Sequence, residues 1–125
     1  MQTLYQNIRL TILEAKQKVI TTVNVAMLEA YWQIGRYIVE EEQQGKHKAE
    51  YGKQQMQELA KKLTKEFGSG FDRSNLLRMK NFYLLFPIRD AVRHELTWTH
   101  YRCLPNITNE KTREFYIQET ITKRK

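Results

Sequence analysis

Ser74, Arg78 and Asn81 recur in steps of four and three, the spacing that puts side chains on one face of a helix. Arginine forks onto guanine or phosphate, asparagine pairs with adenine, and serine reaches phosphate oxygens. An outward row of these three types therefore suits nucleic acid. Arg73 and Lys80 flank one edge of the row and Asn75 the other. Lys61, Lys62 and Lys65 stand on the preceding segment, where their ammonium groups would grip flanking backbone without reading sequence. A solvated polar face on an ordinary helical hairpin would carry the same residues, so spacing alone leaves both readings open.

Other reactive types are sparse. Trp98, His100 and Tyr101 sit close enough for a stacking site, but Trp98 and Tyr101 are three apart, the spacing of two core residues on one helical face. His100 then serves as a cap or a structural hydrogen bond. His100 and Cys103 stand at i and i+3, yet structural zinc needs four ligands, and His47 and His94 lie in separate segments. Glu14-Ala15-Lys16 matches a Glu-x-Lys nuclease element, but no acid precedes Glu14 to help hold magnesium. No glycine-rich phosphate loop or nucleophile elbow occurs. The expectation is no catalytic residue, no metal site and no cofactor.

The elements that would position the row are helical. Leu4, Ile8, Ile12, Ala15, Val19, Val23, Met27, Tyr31, Ile34 and Ile38 recur in steps of three or four, predicting one helix from about residue 3 to 43. The β-branched run Val19 to Val25 is the strand-like stretch within it, and a kink near Asn24 is compatible with the pattern. Gly45 supplies its stop. A helix of this length must pack on the rest of the chain, on a second copy, or on both. A homodimer through residues 4–42 is thus one expectation.

The second helix is predicted over Gly52 to Phe67, burying Met56, Leu59, Leu63 and Phe67. Gly68-Ser69-Gly70 ends it, and Asp72 is placed to cap a third helix that buries Leu76, Met79, Tyr83 and Phe86 and stops at Pro87. This is a helix-turn-helix pattern with a turn longer than usual. Residues 87–96 read as loop, with a turn near Asp90 to Arg93. Thr97 or Thr99 caps a short helix through Leu104, closed by Pro105. Thr108 or Asn109 opens a last helix carrying Phe115, Tyr116, Ile117 and Ile121. The fold class is all-α: a long N-terminal helix packed with a helix-turn-helix-like bundle, plain or related to the winged helix.

Charge is distributed unevenly along the 125 residues. Residues 1–42 carry a net charge of −1, whereas residues 43–70 and 71–93 carry +3 each and residues 94–125 carry +2. The positive field belongs to the part after the first helix and favours a polyanionic partner, DNA or RNA. The opening residues lack a basic start and an apolar run, so no signal peptide is expected. Val19 to Leu28 is the longest uncharged stretch, about half of what a spanning helix needs. One cysteine excludes an intrachain disulfide and points to a reduced, cytoplasmic compartment.

Eight ordered segments carry a resemblance. They are Leu4, Tyr5 and Ile8; Tyr31, Trp32, Ile34, Gly35 and Arg36; Ala49 to Lys53; Phe67, Gly68, Gly70 and Phe71; Asn75, Leu76 and Met79; Phe86 and Pro87; Leu96 to Tyr101; and Arg113 to Tyr116. Together they resemble the N-terminal domain of the YhcG family of bacterial proteins, over nearly the whole chain. The resemblance implies one helical domain over residues 1–125, a DNA-binding or winged-helix-like module that full-length members join to a C-terminal PD-(D/E)xK nuclease. The nuclease core would lie beyond Lys125, so no catalytic residue carries over. Thr97, Thr99 and Asp72 stand where the family usually has serine, and each still offers a capping oxygen. An acid at residue 72 is less favourable beside phosphate. Pro105 shortens the Trp98 helix relative to members with a leucine-rich continuation.

Overall fold

The computed structural model describes residues 1–44 and 49–124. Gly45 and His47, expected as a helix stop and weighed as a metal ligand, lie outside the described residues, as does Lys125. Among the described residues five α-helices follow one another: α1 over Gln2–Gln44, α2 over Ala49–Phe67, α3 over Arg73–Leu85, α4 over Trp98–Tyr101 and α5 over Glu110–Arg124. Short 3-10 turns occupy Ser69–Phe71, Arg89–Ala91 and Leu104–Asn106. Among the described residues there is no strand, so the fold is all-α and carries no β-wing there.

The β-branched run from Val19 to Val25 is helical. No proline or glycine interrupts α1 before Gly35, and threonine hydroxyls bond back into the helix. Thr11 Oγ1 donates to the Asn7 carbonyl at 2.9 Å and Thr22 Oγ1 to that of Lys18 at 2.8 Å, which removes their competition with the backbone. Only the second half of α1 is buried, through Leu28, Trp32, Gly35, Ile38 and Val39. Of the helical stripe read from the sequence, Leu4 through Met27 stay outside the core of the single chain. Tyr31 and Ile34 pack at its edge.

α3 lies along the buried half of α1, and two clusters form around their contact. Leu28 and Trp32 meet Phe82 of α3, Leu96, Tyr101 and Leu104 of the connecting segment, and Ile117 and Ile121 of α5. Ile38 meets Leu76 and Met79 of α3 with Met56 and Ala60 of α2. Trp98 packs against both clusters. Several expected core positions shift by one. Phe82 rather than Tyr83 is fully buried on α3, and Ala60 replaces the outward Leu59 and Phe67 on α2. On α5, Phe115 is exposed and Tyr116 partly so, leaving Ile117 and Ile121 inside. The partner lies to one side of each apolar arc, so the bulkiest residue is not always the buried one.

Tyr101 fastens the irregular segment before α4. Its hydroxyl accepts from the Arg93 N–H and donates to the Arg93 carbonyl at 3.2 Å, while its ring packs on Phe82 and Phe86. Burial pushes its pKa up to about 12. In the unfolded chain the phenol loses its proton near pH 10, and the folded form holds it longer. Folding stability is therefore expected to fall as pH rises from about 10 to about 12. Denaturation midpoints across that range should show the slope, and Tyr101→Phe should flatten it.

Candidate nucleic-acid interface

Asp72 caps α3 as its position predicts. Its Oδ1 accepts from the Asn75 N–H at 2.9 Å, which satisfies one of the orphan donors at the helix start. The turn from α2 is made by Gly68, whose φ of 101° lies in the left-handed region that a side chain disfavours. A 3-10 turn over Ser69–Phe71 then leads into α3. The Asn75 side chain ties this turn to the helix, since Nδ2 donates to the Ser69 carbonyl at 3.3 Å and Oδ1 accepts from Arg78 Nη1 at 3.3 Å. Asn75 is therefore a brace for the turn and for Arg78, a role its spacing alone did not reveal.

The sequence-derived residues fall into two groups. Ser74, Arg78 and Asn81 are all exposed on the outer side of α3, away from Leu76, Met79 and Phe82. Lys61 and Lys65 of α2 meet Arg73 of α3 around an open depression of about 580 Å³, with Gln57, Ala60, Thr64 and Asp72 completing its walls. Lys62 is exposed on the same outer side of α2 but does not line that depression. The Asp72 carboxylate there is already committed to the cap.

Lys80 is placed differently. Its Nζ bridges both carboxylate oxygens of Glu42, at 2.8 and 3.1 Å, and so ties the end of α1 to α3. The two residues are 38 apart in the chain, and nothing local in the sequence signals the pairing. Arg89 pairs with Glu29 at 3.4 Å and Arg93 with Glu95 at 3.4 Å. By contrast, none of Lys61, Lys62, Lys65, Arg73 and Arg78 is ion-paired with another described residue. These five cations leave a basic surface spanning the α2–α3 hairpin.

The Trp98 to Tyr101 segment has the structural role weighed above. The Thr97 N–H donates to His100 Nδ1 at 3.1 Å across the start of α4, and Tyr101 is wholly buried. Asn109, rather than Thr108, caps α5, with its Oδ1 accepting from the Thr112 N–H at 3.1 Å.

The profile of the DUF1016 N-terminal domain matches residues 7–125. The chain belongs to this family. It is also 40% identical over 86 residues to the Escherichia coli (strain K12) protein named "Putative nuclease YhcG". That match covers 66% of this chain and 23% of the relative, so the chain spans only a fraction of the relative's length. No solved structure matches. All the segments that carry the resemblance, apart from Leu4 and Tyr5, lie within the matched residues, and several of their members are structural. Trp32 and Gly35 sit in the α1–α3 contact, and Phe86 receives the Trp32 N–H. Membership in a nuclease-associated family follows from the relative's name, whereas the task of this domain within it does not.

Proposed function

We propose that the chain is a non-catalytic nucleic-acid-binding domain, with duplex DNA as its target, that holds a nuclease domain of the full-length protein on its substrate. The observation that carries this reading is the set of five cations on the α2–α3 hairpin that pair with no carboxylate among the described residues, beside exposed Ser74 and Asn81. Cations that no carboxylate among the described residues holds need no such pair broken before they take phosphate. The nuclease name of the relative gives such a surface a purpose. Lys61, Lys65 and Arg73 would grip backbone, while Arg78 and Asn81 would face the groove.

Titration of a fluorescent mixed-sequence duplex tests the reading. With three backbone phosphate contacts, affinity should fall by about 40-fold between about 50 and 200 mM salt. Combined Lys61→Glu, Lys65→Glu and Arg73→Glu substitutions should abolish binding and leave the helical content unchanged, since all three residues are exposed. Arg78→Glu should weaken it separately. Lys80→Glu is unsuitable as a probe, because it would set a carboxylate against Glu42 and disturb the α1–α3 contact. Absence of binding at the lower salt would end this reading. Magnesium-dependent cleavage by the purified chain would contradict its non-catalytic part.

A further inference from the structure

The first half of α1 carries an apolar stripe that the rest of the chain leaves uncovered, and its geometry repeats. Leu4, Ile8 and Ile12 recur eleven residues later as Ala15, Val19 and Val23. A third round brings Ala26 and Ala30, its last position being Ile34 at the edge of the core, and a fourth begins at exposed Tyr37. Eleven residues make about three helical turns, so the stripe drifts only slowly around α1 and a partner helix follows it with a slight right-handed coil. It lies opposite the face through which Leu28, Trp32, Gly35 and Val39 join the core. Leu4, Ile8, Ile12, Val19 and Val23 are each 50–64% exposed, and Tyr37 is 63% exposed.

We infer that this stripe is the seam of a homodimer in which two α1 helices pair antiparallel. With Tyr5, Ile20 and Met27 beside it, 60%, 53% and 38% exposed, the stripe gives each chain a continuous apolar strip to bury against a partner. A single monomer rarely leaves so much contiguous apolar surface to water. No charge lies within the stripe, so a second copy meets it without an unpaired ion. An interfacial membrane helix would instead be rich in Lys and Arg on its polar face, and α1 carries four bases against five acids.

Charge sets the orientation. Residues 2–23 of α1 carry +2 and residues 24–44 carry −3, so antiparallel pairing lays opposite signs together. Glu29, Glu40 and Glu42 already pair with Arg89, Arg36 and Lys80, and local attraction is correspondingly reduced. The larger contribution comes from residues 43–125, which carry +8 in each copy. Parallel pairing would crowd these two bodies at one end, whereas antiparallel pairing sets them at opposite ends of the rod. Antiparallel helix dipoles add to the same preference. Ala15 of one copy then faces Ala26 of the other, and bulky Ile12 faces small Ala30.

Light scattering at tens of micromolar should give twice the 15.1 kDa chain mass. Val19→Glu with Val23→Glu should give the single-chain mass. Val23→Gln serves as a milder variant should the pair of acids unwind the helix, and retained burial of Trp32 reports an intact core. In a Cys103→Ser background, mixed Ala15→Cys and Ala26→Cys chains should form the 15–26 disulfide in preference to 15–15 or 26–26. A monomeric wild type overturns the inference, and so does a dimer that both seam variants leave intact. Preferred 15–15 bonds overturn the orientation. A monomer that floats with phosphatidylglycerol vesicles assigns the stripe to a membrane surface instead. None of these outcomes depends on whether the hairpin binds DNA.

Discussion

Gly35→Ala is expected to destabilise the domain by about 3 kcal/mol, with a corresponding drop in the urea midpoint. A methyl group at this position would sit 2.1 Å from the Met79 carbonyl oxygen, 2.8 Å from its carbon and 3.0 Å from Tyr83 Cβ. The first two are backbone atoms of α3, and no rotamer change moves them aside. The two helices must separate instead, and that loosens Leu76, Met79 and Phe82, all fully buried along the contact. In an open helix the same change would stabilise by about 1 kcal/mol, because alanine is the better helix former. Gly52→Ala supplies that comparison, since nothing lies within 4 Å of its added methyl. Opposite signs for the two variants are therefore expected. A Gly35→Ala midpoint equal to or above that of the parent would show that the α1–α3 contact yields without cost.

Trp32→Ala should cost about 3–5 kcal/mol, and Trp32→Phe distinctly less. The indole is nearly buried, meets Tyr83 edge-on at 5.3 Å between ring centres, and donates from Nε1 to the Phe86 carbonyl at 2.7 Å. That carbonyl belongs to the residue capping the C-terminal end of α3, where the last acceptors of a helix lack intrahelical donors. Alanine removes both the ring and the bond. Phenylalanine keeps most of the packing and leaves the carbonyl unpaired, at about 1–3 kcal/mol. Denaturant unfolding of the three proteins separates the contributions. Equal losses in the two variants would assign the effect to the hydrogen bond alone.

Features whose cause is local were legible in the sequence. Asp72 caps α3 because a carboxylate three residues before a backbone N–H reaches it in any helix of that register. Asn109 and the Thr97–His100 bond follow the same logic. The outward placement of Ser74, Arg78 and Asn81 required only helical periodicity and the apolar residues opposite. The role of Lys80 was not legible. An exposed lysine beside the row looks like its neighbours until a carboxylate 38 residues away is brought to it. Asn75 was likewise misleading, because its partner is a carbonyl in the turn preceding its own helix.

The sequence by itself determined the helices, their caps, the glycine-marked turn and the basic character of everything after the first helix. Each depends on neighbours within a turn or on a count of charges. Only the tertiary structure decided which of two apolar faces of α1 enters the core. Both faces are rich in large side chains, and periodicity cannot rank them. The choice was made by Gly35, where a missing side chain lets α3 approach, and by Trp32, whose N–H finds its acceptor 54 residues away. Burial is a property of pairs of surfaces, and a sequence displays each surface without its partner.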